Sequence, residues 1–101
     1  MNILKITDAE RRLSEEEIGR ELKKLDSWSI SKGRLHKEFK FKNFAEALDF
    51  INMVGRIAES LCHHATIFND YGLVVIELET HSSKGLSMLD FSFANQLDSQ
   101  L

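Results

Sequence analysis

Hydrophobic positions along the chain switch between two periods, and the switches divide the sequence into helices and strands. Ile18, Leu22 and Leu25 recur at helical spacing. They follow Ser14 and Glu17, the reciprocal pair of a capping box, with Leu13 and Ile18 placed as a hydrophobic staple. Trp28 and Ile30 then alternate with serines, and beyond a Lys32-Gly33 turn Leu35, Phe39 and Phe41 alternate with charged residues. A long helical pattern opens at Asn43, with Glu46 three residues on, and runs through FAEALDFINMVGRIAESLC. Two further period-two runs, residues 66–71 and 73–80, flank Gly72. Their pattern sets Val74, Ile76 and Leu78 on one face and Glu77 and Glu79 on the other. A last helix is expected from Ser87, where Asp90 completes another capping box and Leu86 and Phe91 form its staple. The order α-β-β-α-β-β-α, with two hairpins, predicts an α+β fold. It is a two-layer sandwich, a four-stranded antiparallel sheet with three helices on one face.

The long helix carries more apolar surface than one sheet face needs. Ala47, Ile51, Val54, Ala58 and Leu61 form one stripe, and Phe50, Met53 and Ile57 form a second beside it. Either the core of the chain is deep or the second stripe meets another subunit. The expected assembly is a homodimer or homotetramer, joined through this helix or a sheet edge.

Composition narrows the class. The sequence contains no proline and no repeat or linker, so residues 1–101 are expected to form a single domain. Roughly the first ten residues are expected to be loosely held. The 43% hydrophobic and 29% charged content is that of an ordinary globular chain, and 13 Lys plus Arg against 16 Asp plus Glu give a net charge of −3. No global basic field draws it directly to nucleic acid or to anionic lipid. The start, MNILKITDAERR, lacks the apolar core of a signal peptide, and no apolar run is long enough for a membrane span. Cys62, the lone cysteine, cannot form an intrachain disulfide, and a cytoplasmic location is expected.

Candidate chemistry gathers at CHHATIFNDYG, residues 62–72, where two adjacent histidines follow the long helix. Folding the second hairpin about Gly72 pairs residues whose numbers sum to about 144, which sets His81 opposite His63 or one position off. Glu59 joins them, one turn before His63 if the helix persists that far. Strand parity points the cluster away from the core. A metal site, an acid/base site and a solvated His-rich loop are all open. Adjacent extended residues point to opposite sides, which argues against His63 and His64 sharing one ion, and an imidazole with a pKa of about 6.5 suits proton transfer. Simpler duties are available to the other residues. Asp90 caps the last helix, Phe68 and Tyr71 pack on the sheet, Trp28 covers the core edge and His36 faces solvent.

The spacing of Glu59, His63-His64, Tyr71, His81 and Asp90, read in ESLCHHATIFNDY and ETHSSKGLSMLD, resembles the signature of the pterin-4a-carbinolamine dehydratases. RLHKEFKFKNFAEALDFI resembles the family's second strand and long helix, so the likeness runs from Trp28 to the C-terminus. Ala65 stands where the family usually has Pro, and Ile67 where it often has Trp. The resemblance implies dehydration of 4a-hydroxytetrahydropterin to quinonoid dihydropterin, with no metal and no cofactor. It implies acid/base roles for His63 and His81, with His64, Thr80 and Trp28 contacting the pterin and Glu59 and Asp90 in support. Two other roles go with the same fold. One is a coactivator module that binds a transcription factor's dimerisation helix, and the other is a pterin-binding protein of molybdenum cofactor metabolism.

Overall fold

The computed structural model describes residues 8–101. Its elements are α1 (Glu15–Leu22), β1 (Ser29–Ser31), β2 (Arg34–Lys40), α2 (Phe44–Leu61), β3 (Thr66–Asp70), β4 (Leu73–Leu78) and α3 (Met88–Ser99), with 3-10 turns at Asp8–Glu10 and His81–Ser83. The four strands form one antiparallel sheet in the order β1-β2-β4-β3, and the α+β order expected from the sequence is the one observed. Of the first ten residues, expected to be loosely held, residues 8–10 form the first 3-10 turn and residues 1–7 lie outside the described residues.

Local chemistry places the helix ends. Ser14 and Glu17 form the capping box of α1, and Arg11 bridges to Glu17 at 2.8 Å. The Arg11 pairing and the cap hydrogen bonds hold the Glu17 carboxyl down to about 2. Asn43 caps α2 by accepting the Glu46 N–H at 2.9 Å, and Ser87 with Asp90 caps α3. In the β1–β2 turn Lys32 and Gly33 both take positive φ, 52° and 79°, the geometry that lets a two-residue connection follow strand twist.

Val74, Ile76 and Leu78 of β4 and Leu35 and Phe39 of β2 face the helices and are buried. So are Ala47, Phe50, Val54 and Ile57 of α2. Of the two alternatives for the second stripe, Phe50 and Ile57 follow the deep core. Phe50 and Ile57 are 4% and 6% exposed, and Phe50 packs on Phe39 and Phe41 with ring centroids 4.6 and 4.9 Å apart. Phe50 and Ile57 fill this chain's own core, because α3 as well as the sheet lies against the helix, whereas Met53 of the same stripe is half-buried. The exposed large apolar residues of α2 are Phe44 and Leu48. Phe68 and Tyr71 also differ from expectation. They are 56% and 66% exposed, Phe68 on the open face of edge strand β3 and Tyr71 in the hairpin turn at φ 54°.

The β3–β4 turn is locked to β2 by backbone alone. Phe41 donates its N–H to the Gly72 carbonyl at 2.8 Å, and a Cβ on Gly72 would come within 2.4 Å of the Phe41 carbonyl oxygen. Only glycine permits that approach. Gly72→Ala is expected to lower unfolding free energy by about 1–3 kcal/mol, because relief requires moving backbone rather than a side chain. Urea denaturation of the two proteins measures it, and an unchanged midpoint would show that the turn yields freely.

Candidate active site

The histidine pair is aimed by the way α2 ends. Cys62 adopts the left-handed conformation, φ 50° and ψ 42°, and donates its N–H to the Glu59 carbonyl at 3.3 Å while His63 donates to Ala58 at 3.0 Å. This is the paired hydrogen bonding of a Schellman turn, with cysteine at the position glycine usually holds. A non-glycine residue there costs about 1–2 kcal/mol. The turn breaks the helical phase, so Glu59 does not lie one turn below His63. Glu59 is exposed and is not among the residues lining the cavity around the histidines.

His63 swings inward, against the expectation that the cluster faces away from the core. Its side chain is 9% exposed, and its Nε2 lies 2.6 Å from Oδ1 of Asp90, which is fully buried. Thr80 donates its hydroxyl to Asp90 Oδ2 at 2.7 Å, and the Ser87 N–H reaches the same oxygen at 3.0 Å. With its one proton given to Asp90, the Thr80 oxygen accepts from the Ser87 hydroxyl at 2.5 Å, and Ser87 Oγ in turn accepts the Leu89 N–H at 3.2 Å. Asp90 therefore has donors on both oxygens, the condition for burying a carboxylate. A carboxylate with donors on both oxygens only accepts, which assigns His63 Nε2 as the donor in this contact.

His64 and His81 are exposed and complete the mouth of a cavity of about 290 Å³, whose walls include His63, Thr80, Glu10, Glu79 and Leu89. The hairpin register explains the division. Thr66 pairs with Glu77, so the residue in line with His63 is Thr80 rather than His81. Thr80 points inward to Asp90, and His81 begins the 3-10 turn outside. Ser83 of that turn donates its hydroxyl to the Glu10 carbonyl, which holds the N-terminal turn over the site. Among the described residues no group of three His, Cys, Asp or Glu side chains is placed to hold a metal ion.

Trp28, expected at the pterin, lies elsewhere. It is 6% exposed, donates Nε1–H to Asp98 at 2.9 Å, and packs edge-on to Phe39. Its buried indole N–H needs a partner, and the C-terminal end of α3 supplies one. Lys37, which falls on the helix side of β2, reaches the same Asp98 at 3.0 Å and lies over the Trp28 and Phe39 rings. Ile67 is 37% exposed and is not part of the histidine cavity. Sequence reasoning paired Ser87 with Asp90 and set Glu79 on the side of His81, but it missed the Thr80–Ser87 hydroxyl contact and Glu10. The first was concealed behind an ordinary capping box, and Glu10 sits on a turn whose packing no local pattern announces.

Fold and site together define a class, small helix-backed antiparallel-sheet proteins with two exposed imidazoles in front of a buried His–Asp pair. The chain belongs to the pterin 4 alpha carbinolamine dehydratase family, whose model matches residues 11–100. It is 43% identical over 86 residues to a Prochlorococcus marinus protein named for the pterin-4-alpha-carbinolamine dehydratases, covering 85% of this chain and 90% of that one. A similarly named Alkaliphilus metalliredigens protein is 44% identical over 90 residues, covering 87% of this chain and 81% of the other. The crystal structure of a transcriptional coactivator/pterin dehydratase from Brucella melitensis superposes with a TM-score of 0.84 at 37% identity, over 88% of this chain and 97% of that one.

Asp90→Asn tests the buried network. The amide oxygen must serve Thr80 and Ser87, which turns the NH2 group toward His63 and forces its proton from Nε2 to Nδ1. The expected outcome is a folded protein about 1–3 kcal/mol less stable, with the His63 ring nitrogens exchanging their 15N shifts. An unaltered tautomer would refute the assignment of Nε2 as donor.

Proposed function

We propose that the protein eliminates water from 4a-hydroxytetrahydropterin to give quinonoid dihydropterin, with histidines as acid and base. The observation that carries this reading is the 2.6 Å His63–Asp90 contact at the back of a cavity edged by His64 and His81. In the elimination the C4a–O bond breaks, the oxygen takes up a proton and leaves as water, and a ring nitrogen loses a proton as its electron pair forms the new C=N bond. No electrons are gained or lost overall, so proton transfers complete the reaction. Two groups that exchange protons near neutral pH are required, one on each side of a flat ring.

His63 and His81 fill those roles in this reading, and His64 orients the pterin. Asp90 acts through His63, holding its ring in one tautomer and orientation as the carboxylate of a catalytic triad does. Thr80 and Ser87 position Asp90. A cavity of about 290 Å³ suits a bicyclic ring whose side chain stays outside. Neither Glu59 nor Trp28 has a part at this chain's own cavity. The free, exposed Cys62 fits a reducing, cytoplasmic compartment, and no helix among the described residues is long and apolar enough to cross a membrane. Of the second stripe of α2, Phe50 and Ile57 are buried in this core and Met53 is half-buried. Homo-oligomers remain part of the proposal, through the Phe44 and Leu48 face of α2 or the β3 edge with Ile67 and Phe68.

With the uncatalysed dehydration rate subtracted, His63→Ala and His81→Ala are each expected to lower kcat by about 10² to 10⁴-fold. His64→Ala is expected to act through KM instead. Full activity in His81→Gln, which keeps hydrogen bonding without titrating near neutral pH, would overturn the acid/base assignment.

The assembly is tested by Leu48→Glu. If α2 forms the contact, light scattering should report a smaller species than wild type, whereas an unchanged assembly assigns the contact to the sheet edge. A wild-type protein that is monomeric at high micromolar concentration would exclude both.

A further inference from the structure

A second cavity, of about 470 Å³, lies between α1 and the β1–β2 turn and shares the lining residue Glu79 with the histidine cavity. Leu13, Ile18, Ile30 and Leu86 give it apolar walls, and Arg12, Lys32 and Lys84 bring three cations to it. None of these cations forms an ion pair among the described residues, whereas Glu79, one of the two carboxylates at the cavity, is already paired with Arg34 at 3.2 Å. Local charge is thus positive on a chain whose net charge is −3. Arg12 is also placed rather than free to wander. Its stem and Nε lie against Gly85, where a Cβ would come within 2.9 Å of Nε. Lys84 holds the left-handed conformation, φ 52°, beside that glycine.

We propose that this cavity is an anion site that takes a phosphate ester carried on the side chain of a pterin whose ring lies among the histidines. The proposal rests on the dehydratase reading for the ring and on the cations for the phosphate. Guanidinium and ammonium donors suit a phosphate dianion, through a planar fork and through point charges. A bicyclic ring in the smaller cavity leaves its substituent free to pass Glu79 into the larger one. Free inorganic phosphate shares the chemistry, so the test has two arms.

In the first arm, inorganic phosphate is titrated into the full chain at low ionic strength, and amide shifts are followed. Saturable shifts at Arg12, Lys32 and Lys84 are expected, and their absence would overturn the site. In the second, 4a-hydroxytetrahydropterins with and without a side-chain phosphomonoester are compared. The phosphorylated one is expected to have a kcat/KM higher by about tenfold, expressed in KM and falling with added salt. Arg12→Ala with Lys84→Ala should abolish the advantage and leave turnover of the unphosphorylated pterin unchanged. Gly85→Ala, which displaces Arg12 without altering any charge, should reduce it. Phosphate binding with equal kcat/KM for the two pterins would overturn the side-chain assignment and assign the cavity to a free anion. Failure to turn over either pterin would refute the dehydratase reading, while the titration alone still decides whether the cavity binds anions.

Discussion

The structure depends on one buried carboxylate. Asp90 is out of reach of water, and it draws a donor from the end of α2 through His63, from the end of β4 through Thr80, and from the start of its own helix through Ser87. A carboxylate in that position is tolerable only when such donors are all present. The segments that supply them are separated by 27, 10 and 3 residues in sequence from Asp90. One residue thus joins three element ends, and the site lies where they meet. The packing of helix on sheet, with Leu78 and Phe91 fully buried, encloses that junction.

What was legible in the sequence is what local chemistry decides. Capping boxes at Ser14 and Ser87, the turns at Lys32-Gly33 and about Gly72, and the inward phase of Val74, Ile76 and Leu78 each depend on a few neighbouring residues, and each is found where the pattern sets it. The two stripes of α2 were visible, but whether the second faced a neighbour or α3 depends on how the helices stack. Lys37 stands in an inward phase that the alternation assigns to apolar residues. It is accommodated because Asp98, 61 positions away, meets its ammonium.

At the site the limits are sharper. Counting parity from the helix or from the hairpin assumes an unbroken phase, and the left-handed Cys62 resets it between Glu59 and His63. That single φ value turns His63 into the protein and leaves His64 outside. A cysteine gives no warning of such a turn, as a glycine would have done. Trp28 was readable as a core residue but not as a partner of Asp98, since nothing in the sequence near either residue refers to the other.

Asp90 also separates the site into residues that the fold needs and residues that it does not. His63, Thr80 and Ser87 satisfy a buried charge, so replacing any of them weakens the folded state whatever the chemistry is worth to the cell. His64 and His81 are exposed and carry no comparable structural duty. A lineage that ceased to use the reaction would be free to lose those two early, while selection for folding alone would go on preserving the His–Asp pair behind them. The buried half of the signature is therefore a constraint of architecture, and the exposed half is free of it.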